Sequence, residues 1–242
     1  MDTQNTVRVA MLSFAHSHAY GYAGVLSHLP DVEIVVIADE DEARGKDAAE
    51  RFGTTWTSSY EDAVKRDDVD AVVICSENVR HKEMTIAAAE AGKHVLCEKP
   101  LATSVEDAQA MIDACARAGV QLMTAFPVRF NASIAAMRDA IRSGHVGETL
   151  TIAARNPGTN PGGWFVDASL SGGGAIIDHT VHVVDVLRWI YDAEVTEVYA
   201  ESGNLLAGNE SDDTGLLMFR LSNGVPVSLD TSWSRPSNWP IW

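Results

Sequence analysis

Apolar, largely β-branched runs recur through the first half of this chain, and a segment of helical spacing separates each from the next. Residues 7–12, 33–38, 70–75, 95–97 and 120–125 read as strands, while 17–29, 42–52, 58–66, 79–91 and 104–118 read as helices. Pro30-Asp31, Gly53, Gly92 and Gly119 stand where helices should stop, and Ser104 stands where the last of them should be capped. Strands that are apolar almost throughout are buried on both faces. Alternating with helices, they predict a parallel sheet covered on both sides. Residues 1–125 are therefore expected to form a doubly wound α/β domain of nucleotide-binding type. The pattern then changes. A helix over 132–141, a strand over 148–155, a Gly/Pro-rich loop over 156–163 and a long helix over 174–191 precede strands at 195–201, 214–221 and 225–233. Strands in direct succession predict a largely antiparallel sheet, so 126–242 is expected to be a second, α+β domain. It stops on Pro240-Ile241-Trp242 with no polar tail, which reads as a sheet domain cut short.

Composition narrows the partners. With 242 residues, 46% apolar and 21% charged, the chain reads as an ordinary globular protein. Its formal net charge of −16 repels phosphate backbones and anionic bilayers, so neither nucleic acid nor membrane is expected as a partner. No apolar run approaches the roughly 18–20 residues of a bilayer span. The polar start, Met1 to Thr6, lacks the basic patch of a secretory signal. The 3 cysteines, Cys75, Cys97 and Cys115, form no CxxC, which predicts free thiols and a reducing, cytoplasmic setting.

Four stretches carry chemistry. Cys97-Glu98-Lys99-Pro100 closes the run at 95–97. Proline lacks an N–H and cannot continue a strand, so Lys99 falls at a strand's carboxyl end, where open α/β sheets bind ligands. An ammonium there suits a ligand oxygen; a surface turn with one more lysine is the alternative. If a dinucleotide binds, the loop after the first strand should hold its phosphates, usually as G-x-G-x-x-G. Here it reads Ser13-Phe14-Ala15-His16-Ser17-His18-Ala19, and Gly21 and Gly24 fall inside the helix. The small residues still permit close approach, and His16 and His18 either donate to phosphate, cap the helix or face solvent. A metal reading of His-x-His is weak without a Cys or carboxylate at ligand spacing, so no metal is expected. Asp39 follows the second strand, where an acidic residue takes a ribose 2′-hydroxyl and repels a 2′-phosphate. That favours NAD over NADP, unless 39–41 is only a solvated turn. Finally, Gly172-Gly173-Gly174 opens a helix on which Asp178, His182, Asp185 and Trp189 share one face, with Ile177, Val181, Val184 and Leu187 on the next as core. An imidazole one turn from a carboxylate is an oriented general base or a satisfied structural pair. His179 points elsewhere and reads as structural.

Together, Cys97-Glu98-Lys99-Pro100, Cys75-Ser76-Glu77-Asn78 with His81, the segment 126–130 and the segment 172–185 resemble the glucose–fructose oxidoreductase / inositol dehydrogenase / MocA family, in order along nearly all of the chain. The resemblance implies a Rossmann domain followed by a domain with an open sheet, through which members assemble into homodimers or homotetramers. It implies NAD(P)-dependent oxidation or reduction at a hydroxyl-bearing carbon of a sugar, polyol or cyclitol. By that likeness Glu98 and Lys99 sit by the nicotinamide, with the Lys99-Pro100 peptide cis. Ser13, Phe14, Ala15, His16, Asp39, Ser76, Asn78, His81, Pro100 and Arg129 would border the cofactor. Lys99, Asp178 and His182 would be catalytic: His182 takes the hydroxyl proton, oriented by Asp178 or Asp185, and Lys99 steadies the alkoxide. Arg129 and Trp164 would be on the substrate side, unless Trp164 simply packs beside Phe165. The chain departs from the family in its glycine-poor phosphate loop, in Pro127 where an amide is usual, and in its length, which predicts missing outer strands. A sensor that kept the fold and lost catalysis is the rival expectation.

Overall fold

The computed structural model describes residues 6–236; Met1 to Asn5 and the closing Pro240-Ile241-Trp242 lie outside the described residues. The chain divides into two compact units, Met1–Ala125 and Phe126–Trp242.

The first unit runs β1 (Val7–Leu12), α1 (His18–Leu26), β2 (Val32–Ala38), α2 (Glu42–Phe52), β3 (Thr55–Thr57), α3 (Tyr60–Val64), β4 (Ala71–Ile74), a 3-10 turn (Asn78–Arg80), α4 (His81–Glu90), β5 (His94–Glu98), α5 (Val105–Ala118) and β6 (Leu122–Ala125). Its 6-stranded sheet has the order β3-β2-β1-β4-β5-β6, parallel throughout. This is a Rossmann order, with the direction of winding reversing between β1 and β4. The two-residue period of a strand sorts its side chains onto two buried faces. Val9 and Met11 join Ile34, Ile37 and Val73 on one, and Ala10 and Leu12 join Val36, Val72, Ile74 and Met111 on the other. The helices start and stop on local chemistry. Asp41, Ser59 and Ser104 accept the amides of Arg44, Asp62 and Asp107, and Gly53 and Gly119 close α2 and α5 in the left-handed region.

Some boundaries differ from expectation for identifiable reasons. The first helix ends at Leu26 because the Ser27 hydroxyl and the His28 ring both bond the Gly24 carbonyl, the acceptor that the next helical amide needs. The amides of His28 and Leu29 fall back on Val25 and Leu26 in 3-10 fashion. The strand Thr55–Thr57 was not expected. It is short and half polar, and only its pairing with β2 makes it a strand.

The second unit runs through a 3-10 turn (Pro127–Phe130), α6 (Ala132–Arg142), β7 (Ile152–Arg155), a 3-10 turn (Gly163–Val166), α7 (Ala168–Ser171), α8 (Ala175–Tyr191), β8 (Val195–Gly203), β9 (Thr214–Leu221) and β10 (Pro226–Asp230). The 4-stranded sheet has the order β7-β10-β9-β8. β8, β9 and β10 are antiparallel, but β7 pairs parallel with β10, so the sheet is mixed. β9 alternates: Leu217, Phe219 and Leu221 are buried under α8, while Leu216 and Met218 face out. The core stripe of α8 is Ile176, Val183, Val184 and Leu187, turned slightly from the expected one. Gly174 is obligatory at its start, because a Cβ there would sit on the Asp212 backbone. The Asp212 carboxylate takes the Gly174 and Ile176 amides and so caps α8. Among the described residues no helix is long and apolar enough to cross a membrane, and all three cysteines are free and buried.

Candidate active site

In the first unit the carboxyl end of β1 leads straight into the expected phosphate loop. Ser13, Ala15 and His18 hold the positions of the glycines in G-x-G-x-x-G. Ser13 takes the left-handed φ of 69° that the first glycine would favour. That conformation costs a non-glycine residue about 1–2 kcal/mol, and the Ser13 hydroxyl offsets part of it by accepting the Ala15 amide at 3.1 Å. Phe14 is buried beneath the loop, and its amide donates to the Asp39 carboxylate at 2.7 Å. The His16 amide is tied to the Cys75 carbonyl at 2.9 Å. Side chains thus give the loop the shape that glycines give elsewhere. Because those amides and that of His18 are spent internally, the groups left to meet an anion are the exposed Ser17 and Nε2 of the half-exposed His18 ring.

Asp39 sits at the end of β2 as expected, but fully buried. Its carboxylate takes the Phe14 amide, the Asp41 amide at 3.0 Å, and Nε and Nη2 of Arg44 at 2.8 and 2.7 Å. A carboxylate has about four acceptor positions, so the expected bond to a ribose hydroxyl requires Arg44 to swing away. Asp39 here acts first as the brace between the phosphate loop and α2. Beside it opens a cleft of about 340 Å³, lined by Ser13, Glu40, Arg44, Tyr60, Glu77 and Arg80 among others. It lies at the carboxyl ends of the strands, on the β2 side of the switch point, where Rossmann sheets take the adenosine half of a dinucleotide. The small Ser13, the acidic rim and this cleft fit such a cofactor.

The β4 and β5 ends form the other wall. His81 is fully buried. One ring nitrogen meets the Pro100 carbonyl at 2.9 Å and the other the Ser76 carbonyl at 3.3 Å. Burial lowers its pKa. His81 thus lies between the two loops, and in its neutral form it donates to one of these two carbonyls. Ser76 and Asn78 are buried in the same turn. The Lys99-Pro100 peptide is cis, and Lys99 is only 4% exposed at the strand end. Glu98 is fully buried, with its Oε2 accepting the Tyr22 hydroxyl at 2.7 Å and lying 3.4 Å from His18 Nδ1. Burial alone would raise its pKa, but the contacts with His18 and Tyr22 and the nearby His16 ring bring it down to about 2. Tyr22, which falls inside the segment expected as the first helix, is the residue missed here.

In the second unit, Asp178 lies in the first turn of α8, where the helix dipole favours a carboxylate. Its Oδ2 accepts Trp233 Nε1 at 3.2 Å and lies 3.1 Å from His179 Nε2. His179 also meets the Asn156 carbonyl through Nδ1. The neighbouring His179 thus meets Asp178, against the expectation that it points elsewhere. His182 stands one turn on, edge to face with Phe126 at 6.4 Å. Asp185 does not orient it: it is buried in a two-pronged pair with Arg129, at 2.6 Å to Nε and 2.5 Å to Nη2. The same pair commits Arg129, expected at cofactor and substrate, to anchoring the 127–130 turn on α8. Trp164 stacks on Phe165 with centroids 3.9 Å apart.

Comparisons with known proteins agree with this layout. Residues 8–126 match the model of an oxidoreductase family with an NAD-binding Rossmann fold, and 134–241 match a GFO/IDH/MocA C-terminal domain. The chain is 38% identical over 198 residues to the 1,5-anhydro-D-fructose reductase of Ensifer adhaerens, covering 80% of this chain and 60% of that protein. It is 33% identical over 220 residues to the myo-inositol 2-dehydrogenase of Thermotoga maritima, covering 87% and 64%. The chain thus spans under two thirds of these relatives' length. Among solved structures, GenD2 from gentamicin A biosynthesis in complex with NAD superposes with a TM-score of 0.90 at 26% identity, over 97% of this chain and 68% of that one. The WlbA dehydrogenase from Bordetella pertussis, in complex with NADH and UDP-GlcNAcA, gives 0.89 at 28%, over 99% and 70%.

Proposed function

Because the chain belongs to the GFO/IDH/MocA oxidoreductase family, we propose that it is an NAD-dependent dehydrogenase acting on a hydroxyl-bearing carbon of a sugar, polyol or cyclitol. The observation that carries this reading is the Glu98-Lys99-Pro100 turn. It places a cation at the end of β5, braced through His81, on the sheet edge that also bears the Ser13–Asp39 cleft. A nicotinamide bound along that edge supplies a hydride acceptor or donor. Lys99 donates to the substrate oxygen and stabilises charge as it develops there, an interaction realised mainly in the transition state. His182 takes or returns the hydroxyl proton, a task suited to imidazole near neutral pH. Asp178, steadied by Trp233 and His179, orients the substrate hydroxyl toward that exchange.

The relatives named above act on an anhydro sugar and on an inositol, which supports a polyhydroxylated ring as substrate. The test is a dehydrogenase screen over sugars and cyclitols, with NADH binding followed in parallel by fluorescence. Lys99→Ala and His182→Ala should each lower turnover by about 100-fold or more, with NADH affinity nearly unchanged. Wild-type turnover in either variant would overturn the assigned roles. Tight NADH binding with no turnover on any ring substrate would favour the sensor.

A further inference from the structure

The fold supplies the carboxylate that the His-x-His motif lacks in sequence. His16 and His18 flank the start of α1, and Glu98 ends β5. One ligand atom from each, two imidazole nitrogens and a carboxylate oxygen, lie within 4.8 Å of one another. The two rings are 4.3 Å apart, and His18 Nδ1 lies 3.4 Å from Glu98 Oε2. That separation is long for a charged hydrogen bond, ordinarily about 2.7–2.9 Å. It matches the edge of a tetrahedron whose centre stands about 2.0–2.1 Å from each ligand, roughly 3.3–3.4 Å. Glu98 is fully buried, and its Oε1 accepts no hydrogen bond among the described residues. A buried carboxylate oxygen without a donor is a costly feature unless something else meets it. The Tyr22 hydroxyl on Oε2 is the kind of second contact that orients a metal-binding carboxylate.

We propose that His16, His18 and Glu98 form a binding site for a divalent transition cation, with Zn²⁺ the best match to two imidazoles and a carboxylate. Three protein ligands leave a fourth position open, so the ion would be exchangeable rather than structural. His18, with its side chain 43% exposed, is the ligand free to close the cluster from 4.8 Å. The cost is local. His16 Nδ1 now accepts the His18 amide at 3.1 Å, and metal on either nitrogen of that ring ends this bond. His18 opens α1, where an amide has no helical partner and can turn to water. Resting on the function proposed above, the site shares the loop and Glu98 with the cofactor, so Zn²⁺ and NADH should exclude each other.

The experiment is a Zn²⁺ titration of the whole, cofactor-free chain against a chromophoric indicator, repeated with Co²⁺ to read the visible spectrum of a tetrahedral ion. One equivalent should bind saturably, with tetrahedral Co²⁺ bands. His18→Ala, at a half-exposed position, should weaken binding at least about tenfold, whereas His28→Ala, an exposed histidine at the far end of α1, should leave it unchanged. Absence of saturable binding, or equal loss in both variants, would overturn the site. If Zn²⁺ binds as described but NADH titrates identically with and without it, the metal site stands and the cofactor placement falls.

Discussion

Glu98→Gln tests the electrostatics on which the first unit's site is built. The side chain is fully buried. Burial pushes its pKa up, yet the contact with His18, the nearby His16 ring and the Tyr22 hydroxyl bring it from the ordinary 4.5 down to about 2. A carboxyl group with a folded pKa below its unfolded one contributes stability that is complete above the unfolded value and is lost as pH falls through the folded one. At about 1.4 kcal/mol for each tenfold, the fall from 4.5 to about 2 is worth up to about 3 kcal/mol once the carboxyl is ionised in both states. At about pH 3.5 the unfolded chain has begun to take up the proton and the folded one has not, which leaves about 2 kcal/mol. Glutamine keeps the volume and the uncharged form, so it carries none of this contribution. Urea unfolding of both chains, followed by circular dichroism from about pH 3.5 to about 5.5, should show wild type ahead throughout, by a margin that grows from about 2 to about 3 kcal/mol. A margin that is flat, or that widens toward acid, would refute the claim that Glu98 is held ionised by its neighbours.

Other perturbations reach the remaining parts of the site. Arg129→Ala leaves Asp185 buried beside α8 without its cation and should cost about 2–3 kcal/mol in urea unfolding, allowing for the partial exposure of Arg129. Adding Asp185→Asn should recover part of that loss, and no recovery would show that the ion pair is not what anchors the turn. Asp39→Asn releases Arg44 from its partner at the rim of the cleft. Fluorescence titration should then find NADPH gaining on NADH by about tenfold, as one freed guanidinium meeting a phosphate implies; an unchanged ratio would mean that Arg44 does not face the ribose. We further propose that copies of the chain pair through the second sheet, whose Val198, Tyr199, Leu216 and Met218 side chains are all more than half exposed. Light scattering should find an oligomer that Met218→Glu disperses, and a monomeric wild type would end that reading.

The legible parts of this fold are those encoded by short-range periodicity. A buried parallel strand needs an apolar run, and a helix needs a cap, a face and a stop; β1, β2 and β4 carry the first, and α2 and α5 the second, in or next to their own residues. What escaped depends on partners. Thr55–Thr57 becomes a strand only because β2 offers it an edge, and β7 runs parallel to β10 because of the path of a connection that no local pattern records. The end of α1 was hidden in another way, since Ser27 and His28 are compatible with a helix until their side chains take its carbonyl.

The site divides along the same line. Its landmarks, the strand-end lysine and the Asp178–His182–Asp185 helix, follow from spacing and appear where spacing puts them. The pairings do not follow, because they join residues far apart in the chain: Tyr22 to Glu98 across 76 positions, Arg129 to Asp185 across 56, Trp233 to Asp178 across 55. Helical periodicity can place Asp185 near the face of His182, but it cannot state that a guanidinium from the 127–130 turn claims the carboxylate first. Charge decides that contest. A buried carboxylate gains more from a bidentate guanidinium than from a neutral imidazole, so wherever an arginine can reach, the apparent catalytic dyad becomes an anchor. The phosphate loop shows the converse. Without glycines it reads as damaged, yet Ser13 at positive φ and the Asp39 carboxylate on the Phe14 amide hold the turn that glycines otherwise permit. A glycine motif is one solution to the problem of bending a chain toward an anion, and a hydroxyl with a buried carboxylate is another. The second sets the shape at the expense of free amides, which places the burden of anion contact on Ser17 and His18.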